Sequence, residues 1–138
     1  MTFAALTALV SSVALRAQEP VTLELRCASP CSFRQGESIW LDLDFTASTP
    51  NHYAVLTNYT DRPIASEAFA VTPQEGATDP AAPYVRYLLP AGSFHRIRQP
   101  LSSRPVTVRL NLNQWIRFDR PGVYHVSAIS RRSRTRLR

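Results

Sequence analysis

The stretch Glu37-Ser38-Ile39-Trp40-Leu41-Asp42-Leu43-Asp44-Phe45-Thr46 alternates along its whole length, with Ile39, Leu41, Leu43 and Phe45 on one side and Trp40, Asp42 and Asp44 on the other. A period of two sends successive side chains to opposite faces of a strand, and a strand that is apolar on one face belongs to an antiparallel sheet lying on a core. The same period recurs on both sides of this stretch. Val21, Leu23, Leu25 and Cys27 alternate with Thr22, Glu24 and Arg26, and Val106, Val108, Leu110 and Leu112 alternate with Thr107, Arg109 and Asn111. Residues 52–59, 66–71, 84–89 and 123–130 read as further strands. A turn at Thr60-Asp61-Arg62-Pro63 and a proline-rich surface loop over 72–83 divide them. Eleven prolines against four glycines exclude a helical bundle, whose interior helices proline would break. The expected class is all-β, an antiparallel β-sandwich of about seven strands.

At 138 residues, 44% hydrophobic and only 19% charged, the chain has the apolar mass for one core and too little charge for disorder throughout. Its net charge of +6 is concentrated at one end, where Arg131, Arg132, Arg134, Arg136 and Arg138 form an Arg-rich tail over 131–138. Residues 1–130 then carry eleven basic against ten acidic side chains, a nearly neutral body. Nucleic-acid binding needs a basic face on the folded body, so no nucleic-acid partner is expected.

Residues 3–15, from Phe3 to Leu15, are uncharged and mostly apolar, and Arg16-Ala17-Gln18-Glu19-Pro20 then turns polar. Thirteen residues fall short of the roughly 20 that span a bilayer, while Ser12, Ala14 and Ala17 offer small residues for cleavage. Residues 1–17 therefore read as a signal peptide of a secreted or periplasmic protein, cleaved between Leu15 and Gln18, with 18–130 as the domain. The lack of Lys or Arg in Met1-Thr2 leaves an uncleaved membrane anchor as the alternative.

Cys27-Ala28-Ser29-Pro30-Cys31 holds the only two cysteines. No second pair supplies the four ligands of a zinc site, and a redox pair would have two residues between its thiols. An even, close pair in an exported chain reads as a Cys27–Cys31 disulfide across a turn.

The stretch Asp119-Arg120-Pro121-Gly122-Val123-Tyr124-His125-Val126 resembles the Asp-x-Gly-x-Tyr-x-Cys segment leading into strand F of immunoglobulin-like domains. It is also similar to the Pro-Gly-x-Tyr-x-Val stretch of bacterial extracellular immunoglobulin-like and macroglobulin-type β-sandwiches. The resemblance is specific over residues 112–130. It implies an immunoglobulin-like sandwich in which Tyr124, with Gly122 and Asp119, makes a tyrosine corner, buried and with its hydroxyl bonded to backbone near the Asn113 to Phe118 connection. The inter-sheet disulfide of that family is absent, since Val126 stands at the strand-F cysteine and Phe45 or a neighbour at the other. In that layout strand F should pair with a strand G, and the arginine-rich octamer is a poor candidate for one. An open strand-F edge, and self-association through it or pairing with a downstream domain, is the expected consequence.

Chemistry is sparse. His52, His95 and His125 lie on different segments, none beside a nucleophile motif, and no phosphate-binding glycine loop occurs among Gly36, Gly76, Gly92 and Gly122. Asp42 and Asp44 share a face with Glu24 or His125 nearby, which admits a calcium site or paired acid chemistry. Pairing of the two aspartates with Arg109 or Arg26 across strands is the simpler expectation. No catalytic residue, metal or cofactor is assigned. Trp40 and Trp115 could each stack a ligand or plug an end of the sandwich. The chain thus reads as a non-catalytic secreted or envelope module with a scaffolding or protein-interaction role. The alternative is a secreted binder of carbohydrate or of a protease through Trp115 and the 72–83 loop.

Overall fold

The computed structural model describes residues 6–10, 21–27, 30–60, 62, 67–84 and 95–135. Twelve strand segments and a single 3₁₀ turn are the regular elements among these residues, and nearly all strand pairing is antiparallel. The expected strand over 84–89, the cleavage region after Leu15 and residues 136–138 lie, all but Tyr84, outside the described residues.

One sheet is built from β2 (Val21–Cys27), β4 (Trp40–Ala47) and β9 (Val106–Asn111), with β4 in the centre. Registers Leu25↔Leu43↔Val108 and Cys27↔Leu41↔Leu110 bring the apolar residues of all three strands to one face. Leu41, Leu43, Phe45, Val108 and Leu110 are buried there. The quoted alternation is therefore the central strand of the sheet.

A second sheet has the order β3 (Ser32–Phe33), β1 (Leu6–Val10), β11 (Val123–Ser130), β6 (Glu67–Thr72). Tyr124, Val126 and Phe33 from this sheet belong to the same buried cluster, and Phe69 and Val71 pack against it. Apolar faces from two sheets meeting in one core make the arrangement sandwich-like. β5 (Tyr53–Leu56), β8 (Arg98–Pro100) and β12 (Ser133–Thr135) form a third, smaller sheet, and β7 (Ala77–Thr78) pairs with β10 (Arg117–Phe118).

Three expectations need correction. The apolar segment Leu6–Val10 is a strand that runs parallel to β11 over Val123–Val126, so that part of the strand-F edge is covered. The arginine-rich end is not wholly a solvated tail. Ser133–Thr135 adds to β5 rather than to β11, and Arg132 is 1% exposed. The 72–83 loop also contains β7, which pairs with β10 through Ala77↔Phe118.

Arg132 is buried because every one of its donors is satisfied. Its Nε and Nη2 donate to Glu67 Oε1 and Oε2 at 2.5 and 2.9 Å. Its remaining N–H groups reach the Leu56, Asn58 and Tyr59 carbonyls at 3.1, 2.8 and 2.7 Å. Ser130 Oγ donates to Glu67 as well, at 2.8 Å. A guanidinium has five N–H donors in a rigid fork, so this one side chain ties the end of β5 to the start of β6 and the end of β11.

Candidate functional site

The loops at one end of the sandwich are fixed by short polar residues. Asn111 Oδ1 accepts the Asn113 N–H at 3.0 Å and so starts the 3₁₀ turn Leu112–Gln114. Asn113 then holds the chain before β4, accepting the Ile39 N–H at 2.7 Å and donating to the Glu37 carbonyl at 3.3 Å. The turn closes when the Trp115 and Ile116 N–H groups both donate to the Leu112 carbonyl.

Beyond the turn, Tyr124 is 2% exposed and donates from its hydroxyl to the Arg120 carbonyl at 3.1 Å, with the Glu75 carbonyl at 3.3 Å sharing the proton. The acceptors are thus four residues upstream and on the β6–β7 turn, not on the 113–118 connection. Phe118 packs on the Tyr124 ring at 4.7 Å. Asp119 anchors the corner through its N–H to the Gly76 carbonyl at 2.7 Å, and its carboxylate accepts from Arg117 at 2.8 Å and Thr78 at 3.0 Å. The hydrogen bond from Arg117 holds the Asp119 carboxyl below the ordinary carboxylate range.

Gly76 is the glycine that the corner requires. It has φ +79°, and a Cβ there would lie 2.7 Å from Tyr124 Oη and 2.9 Å from Arg120 Cβ. Gly122 is less constrained, since a Cβ there would meet Tyr124 only at ordinary contact distance, 3.4 Å. Sequence reasoning singled out Gly122 because it stands in the motif. The crowding at Gly76 depends on a residue 48 positions away and has no local signal.

Next to the corner, Arg34, Glu37, Ile39, Arg117, Phe118 and Arg120 line a small cleft open to solvent. Ile39 and Phe118 are buried and form its apolar floor, while the three arginines stand exposed around it. Arg117 is engaged by Asp119. The guanidinium groups of Arg34 and Arg120 have no acceptor among the described residues. Glu37 is the only carboxylate in the lining, and it already accepts the Arg34 backbone N–H at 2.9 Å. The lining contains no His, Cys, Ser or Thr, so the cleft can hold an anion against an apolar floor but offers no nucleophile and no acid–base pair.

The other candidates fall elsewhere. Trp115 is 5% exposed and packs edge-on against Phe69 at 5.3 Å, so its ring plugs the sandwich and presents no face to a ligand. Trp40 is 47% exposed on the outward face of β4, apart from the cleft lining. The 72–83 loop is tied down by Arg62, which donates to both Asp79 oxygens at 2.5 and 2.8 Å. Asp42 receives both Nε and Nη2 of Arg109, at 2.7 and 3.0 Å. Asp44 is paired with Arg26 and accepts from Thr107 at 2.5 Å. These hydrogen bonds, from Arg109 to Asp42 and from Arg26 and Thr107 to Asp44, hold both carboxyls below their ordinary range. Among the described residues no three His, Cys, Asp or Glu side chains gather to hold a metal. Cys27 and Cys31 form a disulfide with Cα atoms 5.7 Å apart, joining the end of β2 to the start of β3. No helix among the described residues is long and apolar enough to cross a membrane.

No protein-family model, curated protein or solved structure matches this chain.

Proposed function

We propose that the protein is a non-catalytic, exported β-sandwich module, secreted or held in the cell envelope, that acts by binding another protein. The supporting observation is the cleft beside the Tyr124 corner, where the unengaged guanidinium groups of Arg34 and Arg120 stand over the apolar floor of Ile39 and Phe118. That combination suits a carboxylate-bearing segment with a nearby apolar side chain, and two bidentate arginines give orientation as well as attraction. Carbohydrate or protease binding through Trp115 has less support, because the ring is buried. The Cys27–Cys31 disulfide suits an oxidising compartment, and residues 1–17 supply the leader in this reading. The nearly neutral body outside the arginine-rich end gives no reason to add a nucleic-acid partner.

Binding of the full chain to an array of peptides with Asp or Glu flanking one aromatic residue tests the reading. Binding should weaken about tenfold or more in R34A/R120A, a loss of about 1.4 kcal/mol or more, and should be unchanged in W40A. Capture of neutral glycans with no response to acidic peptides would overturn it.

A further inference from the structure

β3 and β11 are not neighbours, because β1 lies between them, antiparallel to β3 and parallel to β11. Adjacent strands stand roughly 4.8 Å apart, so β3 and β11 are separated by the width of one strand. Backbone N–H and C=O groups that face such a gap present an open sheet edge, which another extended backbone satisfies in register. The gap borders the core directly. Register sets Leu6 opposite Phe33, Ala8 opposite Tyr124 and Val10 opposite Val126, and those three partners are 8%, 2% and 2% exposed. A strand that fits it therefore carries apolar residues at alternate positions.

The segment that fills this gap is the same one that the export reading uses as the apolar centre of a leader. It cannot serve both purposes in one molecule, since a leader cut between Leu15 and Gln18 takes Leu6–Val10 with it. A second processed copy has lost the same segment. We infer that the gap between β3 and β11 is a strand-acceptor site. In the processed chain it takes an extended segment of a different protein, parallel to β11 and apolar at the spacing of Leu6, Ala8 and Val10. The inference rests on the proposed export for the moment at which the site opens, while the site's geometry is independent of it.

The test uses the full chain with a site-specific protease sequence inserted between Ala14 and Leu15, folded intact and then nicked. A fluorescent peptide spanning residues 3–12 should displace the nicked fragment at one peptide per chain and keep the amides of Val123–Val126 protected from exchange. The same peptide carrying Ala8→Pro should bind about tenfold more weakly or worse, because proline removes a ladder donor and bends the strand. Three results would each overturn the inference. The fragment could leave with Val123–Val126 still protected and no peptide taken up. The nicked chain could pair with itself through the gap and refuse the peptide. It could also unfold in a way the peptide does not reverse. N-terminal sequencing of the protein from its source separates the two readings: a start at Met1 removes the cleavage on which the opening of the site rests and leaves the peptide result standing.

Discussion

The β2-β4-β9 sheet and the β3-β1-β11-β6 sheet share one core and use arginine–carboxylate pairs in opposite ways. In the first sheet the pairs Asp42–Arg109 and Asp44–Arg26 lie across its outward face, with Arg109 and Arg26 more than half exposed. At the far end of the second, the Glu67 and Arg132 side chains are both 0% exposed, and every guanidinium donor is taken. Water reaches Arg109, Arg26 and part of Asp42 in the first case, so the Asp42–Arg109 pair adds little, and only Asp44, 6% exposed, leans on its donors Arg26 and Thr107. In the second, water cannot reach the charges, and removing one partner strands the other in the interior. The first sheet is thus held mainly by its apolar face and tolerates changes in charge at Asp42 and Arg109. The second depends on particular long-range contacts: the buried pair, the Tyr124 corner, and a strand brought in from the N-terminal segment.

That contrast is sharpest at Arg132. R132A should cost about 3–5 kcal/mol in denaturant unfolding, because Glu67 is left buried with one remaining side-chain donor, Ser130. E67L/R132M, which removes both charges, should recover much of the loss. A cost below 1 kcal/mol for R132A would erase the difference between the sheets.

Removal of the disulfide comes next. C27S/C31S should cost about 2 kcal/mol, the loop-entropy contribution of so short a closed loop, and free-thiol titration of the unreduced native chain should find neither cysteine. Two titratable thiols would contradict the link between β2 and β3.

Y124F should cost about 1 kcal/mol. Its two acceptors belong to the exposed residues Arg120 and Glu75, whose carbonyls can turn to water once the hydroxyl is gone. G76A should cost more than G122A, since only the Gly76 Cβ would overlap the Tyr124 hydroxyl.

The smallest effects belong to the outward face. D42N should cost about 0.2–1 kcal/mol, and less at high salt. Asp42, Asp44, Asp79 and Asp119 are all held below the ordinary value of 3.8. A carboxyl with a depressed folded value stabilises the fold above its unfolded value and loses that contribution as pH falls through the folded one. Stability should therefore be flat above about pH 5 and fall below about pH 4, with a shallower fall in D42N.

What the sequence made legible follows the same division. β2, β4 and β9 each display a period of two, and their registers match the alternation residue for residue. The Asp42–Arg109 and Asp44–Arg26 pairs could be expected from it as well, because directly or diagonally opposed side chains on one face find each other. The second sheet was legible only in β6, β11 and the Tyr124 motif. β1 carried the composition of a leader, and an apolar run of that length looks the same whether it enters a bilayer or a sheet. β3, β7, β10 and β12 are two or three residues long, too short to show a period. Arg132 looked like one of five similar arginines, since what distinguishes it is a glutamate 65 residues earlier. The cleft was missed for the same reason, as Arg34 and Arg120 come together only through the fold.

The most direct test of the division between the sheets is amide exchange in the full chain carrying Ala8→Pro, which breaks β1 at the position paired with Tyr124. Val123–Val126 and Ser32–Phe33 should lose protection while Leu41–Phe45 and Val106–Leu110 keep theirs. Equal loss in both sheets, or no loss at Val123–Val126, would contradict that division.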